Sequence, residues 1–522
     1  MTAIETDVAP EETRTTRRTP LIAVSLVLLA VFLAGAWAAW SLTIDDAFIS
    51  FRYSANLAAG HGPVWNVDGP RVEGFTNFAW VIWSALGAWL GLALPLFAKV
   101  TSLLFGLGTL YLLVREGHRR AGLTGVLAGA GAYVVFLPTY FHITAGLETA
   151  AFAAVLLRVV VLGLRVLAKE PVRTWEPPVL LVLLGMLRPE GVLAALPVFA
   201  LWFWRERGRV PARWWTLAAV VVGAAYFVWR WRFYGQLFPN TFYVKFGDLG
   251  SGWVWTKHTT LLLLPLLLLT LSLLARKATR AVGALLVVTV VVTNLTYAVS
   301  GPTMDYLDRF ADHAFPVLCL GAGLAAGTLK PRVIGAALGL VAVGWSAVAG
   351  ATAPDLGLIA NYGMDLQRAH VPIGKALAES DVPEQARSVA VTDAGAIPYY
   401  SGWTSIDYIG LNDPEIAHGA DPTDVVLRRR PTVLVVTSVG PQPVGKRYGF
   451  DAAKATAAYE LVASVEMRAG YWQDVFVLPE YATTVGEHVR QRADAARQLN
   501  DPDRAEATVE RWLDRLRSQL PF

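Results

Sequence analysis

Long apolar runs alternate with short polar loops along most of this chain. The runs recur at 21–42, 96–114, 121–138, 146–167, 178–187, 190–204, 212–232, 257–275, 281–299, 314–329 and 332–352. Many approach the ~20 residues that a helix needs to cross a bilayer. The pattern predicts a polytopic α-helical membrane protein with about eleven transmembrane helices. The first run is long enough to cross and lacks a small-residue cleavage site, so it reads as an anchor rather than a leader. From about residue 354 the pattern changes to that of a soluble domain. Runs at 388–392, 432–437 and 474–478 read as strands, and 371–379 and 452–461 read as helices, which predicts a small α/β domain. The stretch 484–518 carries Val485, Val489, Ala493 and Ala496 at helical spacing, which predicts a helix lying on the domain or membrane surface.

Segment 77–94 is also apolar, but small residues interrupt it and Trp80, Trp83 and Trp89 favour the membrane interface. Charge decides its placement. The basic loops 115–120, 169–173, 205–213, 276–280 and 330–332 share the cytoplasmic side only if 77–94 does not cross. The segment is therefore read as a juxtamembrane helix on the outer surface. Three regions result: a disordered cytoplasmic tail over 1–19, a transmembrane domain over 20–353 with its first external loop at 43–95, and an extracytoplasmic α/β domain over 354–522. The expected location is the cell membrane, multi-pass, with the N-terminus inside.

Composition agrees: 54% of residues are hydrophobic and 16% charged, and the mean hydropathy is +0.44. That profile excludes a large soluble enzyme. The net charge of +4 sits mostly in loops and at the ends, which speaks to topology and membrane lipids rather than to nucleic acid. The single Cys319 lies in an apolar run, so neither a disulfide nor thiol chemistry is indicated. No nucleotide fingerprint is present.

The chemistry collects in the outer loops. Directly after the first span stand Asp45 and Asp46, followed by Arg52, Gly60-His61-Gly62-Pro63 and Arg71-Val72-Glu73-Gly74. Ionisable groups at the edge of a span are functional candidates; the alternative is a solvated helix end with an aspartate cap. Further pieces are Gly146-Leu147-Glu148-Thr149, Arg188-Pro189-Glu190-Gly191, and Tyr234-Gly235 with Pro239-Asn240-Thr241. The soluble domain adds Asp393-Ala394-Gly395 and Gly410-Leu411-Asn412-Asp413. This set resembles the GT-C superfamily of polyprenyl-phosphate-dependent membrane glycosyltransferases, and within it the branch of the actinobacterial terminal arabinofuranosyltransferases.

The resemblance implies a GT-C fold and inverting transfer of a sugar, an arabinofuranose or a hexose, from a polyprenyl-phosphate donor. The acceptor would be an extracytoplasmic glycan, lipid or protein. Inversion needs a base for the acceptor hydroxyl. Asp45 is the first choice because it matches the first aspartate of the family's pair, with Asp46 orienting it. Arg52, Arg188, Lys245 and Arg309 are candidates for the leaving phosphate. Glu73, His142, Glu148, Glu190, Asn240, Tyr243 and Asp305 are candidates for sugar contacts. No cofactor is expected to be required; a divalent cation shared by the aspartates is the alternative. The competing function is a transporter or flippase for a lipid-linked glycan precursor. Such a protein should show two related halves, and none are visible.

Overall fold

The computed structural model describes residues 12–245, 247–441 and 446–499. Helix α1 (Glu12–Ala38) begins inside the expected tail, whose residues 1–11 lie outside the described residues. Helix α2 (Asp45–Ala58) carries both aspartates in its first turn, where the positive end of the helix favours acids. Helix α3 (Phe78–Trp89) has 12 residues, about 18 Å at helical rise, too short to cross the ~30 Å hydrocarbon core. Its Trp83 and Trp89 are exposed, while Trp80 is buried and donates to the Gly146 carbonyl.

Helix α4 (Leu94–Val135) is a 42-residue stretch, but Gly122 within it has φ +69° and ψ −162°, which no helix accommodates. Residues eight apart on a straight helix are separated by about 12 Å. A Cβ on Gly117 would nevertheless lie 3.2 Å from the Gly125 carbonyl oxygen. The chain folds back at Gly122, so the runs 96–114 and 121–138 are two packed helices.

There follow α5 (Leu137–Thr144), α6 (Thr149–Leu167), α7 (Glu176–Leu187), α8 (Gly191–Glu206), α9 (Val210–Tyr234) and the short α10 (Asn240–Lys245). The membrane domain continues with α11 (Leu249–Leu262), α12 (Leu264–Ser272), α13 (Arg280–Ser300), α14 (Arg309–Asp312), α15 (Phe315–Thr328) and α16 (Arg332–Ala351). Every apolar run of the sequence is helical. By length and composition, 6 of the described helices are able to cross a membrane, or up to 8 if each bent pair is one span. The two bent pairs turn by 74° between α11 and α12 and by 63° between α14 and α15. Prolines in the first turns of α12 and α15 interrupt them. Helices α7 and α8, with 12 and 16 residues, are short for a straight crossing. About eleven spans is therefore more than these lengths establish.

The basic loops meet at one end of the bundle. Arg119 pairs with Glu170 at 2.9 Å, Arg205 donates to the Val166 carbonyl and Arg276 to the Thr328 carbonyl. Gly327 packs so closely on Ala121 that a Cβ would sit 2.3 Å from its carbonyl oxygen. Clustering of this kind is what the charge argument requires.

The C-terminal domain opens with α17 (Leu356–Arg368) and α18 (His370–Glu379). Its strands are β1 (Ser388–Val391), β2 (Thr404–Asp407), β3 (Val433–Ser438), the short pair β4 (Lys446–Arg447) and β5 (Phe450–Asp451), then β6 (Glu460–Arg468) and β7 (Tyr471–Val477). The main sheet has the order β2-β1-β3-β7-β6. Strands β1, β2 and β3 are parallel, while β7 runs antiparallel to β3 and β6. The three predicted strands are present; β2 and β6 were not anticipated. The helix predicted over 452–461 ends at Thr456, because 460–468 pairs along β7 instead and tertiary pairing overrides local preference. The last helix (Ala482–Leu499) buries Val485 and Val489 and packs on α18 and β6. The remainder of the helix predicted to 518 lies outside the described residues.

Candidate active site

A cavity of about 410 Å³ opens where α2, the loop before α3 and α10 meet the C-terminal domain. Helix α2 contributes Asp46, Ile49 and Ser50, and the loop before α3 contributes residues 74–77. Lys245 enters from α10, Arg309 and Phe310 from α14, Tyr297 from α13, and Leu411 from the C-terminal domain. Apolar walls with a few convergent polar groups are the usual character of a ligand site.

Helix α2 presents two different faces. Asp46, Ile49 and Ser50, at helical spacing, face the cavity. Asp45, Phe48 and Arg52 form the other face and meet the C-terminal domain. Asp45 is only 6% exposed. Its carboxylate accepts N–H bonds from Gly395 at 3.0 Å and Ala396 at 2.8 Å. Gly395 must be glycine for this approach, since a Cβ would fall 2.1 Å from the Asp45 carbonyl oxygen. Phe48 packs on Tyr399 and Tyr400 of α19 (Ala396–Ser401). Arg52 donates to the Pro398, Trp65 and Trp403 carbonyls and to Asn66. Neither Asp45 nor Arg52 lines the cavity. The structure places both residues against the C-terminal domain rather than in the cavity where a base or a phosphate ligand was expected.

The cavity's charges fall into two sets. Arg188 pairs with Glu148 at 2.6 Å and Glu190 at 2.5 Å. Glu148 also accepts from Asn77 at 2.7 Å, and Glu190 accepts from the Tyr297 hydroxyl. These five side chains build a wall in which two carboxylates share one guanidinium. Lys245 and Arg309 differ: neither has an ion pair within 4.0 Å among the described residues, and both face the cavity. Burial lowers the Lys245 ammonium from its ordinary value, and the Asp46 carboxylate opposes that shift. Among the described residues Asp46 makes no ion pair within 4.0 Å, while its charge favours the cationic forms of both Lys245 and Arg309.

The remaining predicted residues sit behind the site. Glu73 is buried and holds Arg230 through both carboxylate oxygens, at 2.7 and 2.9 Å, tying the first external loop to α9. Asn240 donates to the Gly410, Leu411 and Asp413 carbonyls, which pins the C-terminal domain above α10. Tyr243 stacks on His418, with centroids 4.8 Å apart, outside the cavity. His142 donates to the Leu307 carbonyl at 3.0 Å. Asp305 accepts from the Phe310 amide at 2.8 Å and the Trp255 indole at 2.6 Å. Both shape the segment before Arg309, where Met304, Leu307 and Asp308 have φ of +59°, +51° and +56°. Left-handed non-glycine residues cost on the order of 1–3 kcal/mol each and cluster at functional sites. Of the sugar candidates, only Glu148 and Glu190 reach the cavity.

Three functional neighbours escaped the sequence reading. Tyr297 lies in an unbroken apolar helix with no local signal. Leu411 and Asn77 were within noted motifs, but only the fold brings them to the cavity. Trp65 and Trp80 are fully buried and line no part of the cavity.

The whole architecture has a counterpart. ArnT from Cupriavidus metallidurans, solved bound to undecaprenyl phosphate, superposes with a TM-score of 0.57 over 88% of this chain and 98% of its own, at 13% identity. This is the GT-C fold. The apo state of ArnT matches with a TM-score of 0.54. At the sequence level, the terminal beta-(1->2)-arabinofuranosyltransferase of Mycobacterium tuberculosis is 31% identical over 246 residues, 42% of this chain. The chain covers 38% of that protein's length. Residues 360–477 match a family described as "Domain of unknown function (DUF8728)", which brackets the C-terminal domain from α17 to β7 of the GT-C fold. The resemblance read from the external-loop motifs and the mostly helical fold with a small C-terminal sheet domain are both upheld.

Proposed function

We propose that this chain is an inverting glycosyltransferase that moves a sugar from a polyprenyl-phosphate donor to an extracytoplasmic acceptor. One observation carries the reading: Lys245 and Arg309, two cations with no ion pair within 4.0 Å among the described residues, face a cavity that also holds the Asp46 carboxylate. Transfer breaks the bond between the anomeric carbon and the phosphate oxygen and forms one to the acceptor oxygen. The electron pair leaves on the phosphate, so a singly charged diester becomes a doubly charged monoester. Lys245 and Arg309 are placed to stabilise that added charge more in the transition state than in the ground state. Asp46, rather than Asp45, takes the acceptor proton. Because protein cations meet the leaving group, the reaction is expected to proceed in chelator. Restoration of a chelated enzyme by Mg²⁺ or Mn²⁺ would place a cation at Asp46 instead.

The donor class is supported by the ArnT likeness and by the apolar walls, and the sugar, arabinofuranose first, by the 31% relative. In this reading the N-terminus lies inside and the C-terminal domain outside. The test is purified protein in liposomes, given polyprenyl-phosphate arabinofuranose or a polyprenyl-phosphate hexose with a cell-envelope glycan acceptor. Release of polyprenyl phosphate matched by extension of the acceptor is expected. Donor crossing the bilayer without release would establish the flippase instead.

A further inference from the structure

We propose that His370 and Asp393, in the C-terminal domain and outside the cavity, are positioning residues for transfer: they fix the loop that clamps Asp45 and thereby aim Asp46. The inference rests on the reading of Asp46 as base. It starts from the geometry of one helix turn. Asp45 and Asp46 are consecutive on α2, about 100° apart around its axis, so a rotation or tilt that frees one redirects the other. Among the described residues the Asp45 carboxylate accepts from the backbone N–H groups of Gly395 and Ala396, and Phe48 and Arg52 hold the same face of α2 to the segment that follows. What holds that loop is therefore what sets Asp46.

Asp393 stands two residues before Gly395, and it is the hub of a network from three other elements. His370, the first residue of α18, meets its Oδ2 at 2.7 Å. The Tyr471 hydroxyl donates to it at 2.9 Å, and the Gln473 amide at 2.8 Å, both from β7. Gln473 also reaches Thr437 of β3 at 3.3 Å. His370 is fully buried and its Nδ1 has no hydrogen-bond partner among the described residues. The His370 Nε2 that meets Asp393 also lies 3.3 Å from the Gln473 amide nitrogen, so a buried polar cluster, which is costly wherever a group is left unpaired, is gathered on one carboxylate. Nothing in this network touches the cavity. Its reach to the chemistry runs through the contacts of the 394–400 segment with α2, of which the Asp45 clamp is the one nearest Asp46.

The charged groups around the network are Asp45 from α2, Arg468 from β6 with Asp365 of α17 at 4.0 Å, and Arg447 of β4 over the Tyr471 ring, with the neutral Tyr362 and Tyr471 hydroxyls beside them. The field of Asp393 and Asp45 favours imidazolium at His370, although burial opposes it. Turnover should therefore carry a dependence on His370 that donor binding does not.

The experiment measures kcat, and KM for donor and acceptor, in His370→Ala, His370→Gln, Asp393→Asn and Tyr471→Phe, with Asp46→Asn alongside. Thermal unfolding in detergent reports on folding. Expected is a fall in kcat of tenfold or more in His370→Ala and Asp393→Asn, with donor KM within about twofold. His370→Gln, which keeps a donor to Asp393, should recover most of kcat while losing the pH dependence near neutrality. Tyr471→Phe removes one hydroxyl and should give a smaller loss of kcat, which keeps the test open if the alanine variant fails to fold. Combining Asp45→Asn with Asp393→Asn should be no worse than Asp45→Asn alone, since both act on one path. Normal kcat in both Asp393→Asn and Tyr471→Phe, with Asp46→Asn inactive, would overturn the positioning role and leave the base assignment standing. An active Asp46→Asn would overturn the base itself.

Discussion

A carboxylate next to a carboxylate looks redundant until the two point in different directions. Asp46 faces the cavity, and Asp45 accepts two backbone N–H bonds from the neighbouring domain. Asp46→Asn should therefore lower turnover by about 10²–10⁴, the usual contribution of a general base, with donor binding intact. Asp45→Asn should act through stability as well as turnover. Lys245→Gln and Arg309→Gln should each cost on the order of a hundredfold in turnover at saturating donor; unchanged turnover in both would move the leaving-group role elsewhere. The aspartate pair and the two cations were legible in the sequence because ionisable groups beside spans stand out. The neutralisation of Arg188 was not, since Glu148 is 40 residues away. Nor was the division of labour within the pair, which depends on a loop 350 residues downstream.

At the scale of elements, α2 is a shared part, with one face for each domain. Gly395 is the contact that brooks no side chain. Gly395→Ala places a Cβ 2.4 Å from the Asp45 Cγ, and overpacking of this kind costs about 1–3 kcal/mol. A lower unfolding temperature together with lower turnover is expected, and calorimetry with the transfer assay checks both. The same joint responds to pH. The Asp393 hydrogen bond and the fields of Asp393 and Asp45 outweigh burial and raise His370 above its ordinary 6.5. Its contribution is complete below 6.5 and is lost as pH rises through the folded value. Asp393 is held below 3.8 by His370 against its own burial, so its share is present above 3.8 and lost as pH falls through the folded value. Asp45 opposes this, since burial pushes it up to about 6 and ionising it costs stability between 3.8 and that value. Unfolding temperature should decline as pH is raised above 6.5, and His370→Gln should flatten the decline. Apolar periodicity made the helices legible, whereas the fold-back at Gly122 was hidden as one long run and β6 was hidden by its helical-looking start.

For the whole molecule, the two ends of the bundle differ in chemistry: basic loops gather at one, and the cavity with the C-terminal domain at the other. The orientation is tested with single cysteines at exposed Asp68, Val439 and Arg207. A membrane-impermeant thiol reagent applied to intact cells should label the first two and spare the third. Labelling of Arg207→Cys alone would invert the topology. Native Cys319 is buried and should stay silent. The clamp on Asp45 also has a consequence in time. During synthesis the first helices enter the bilayer while Gly395 and Ala396 are still to be made, and early parts of a chain fold ahead of late ones. Asp46 is thus present long before it is aimed. A chain that ends before Gly395 has Asp46, Lys245 and Arg309 but nothing to clamp Asp45, so if Asp46 is the base such a truncation is expected to transfer no sugar.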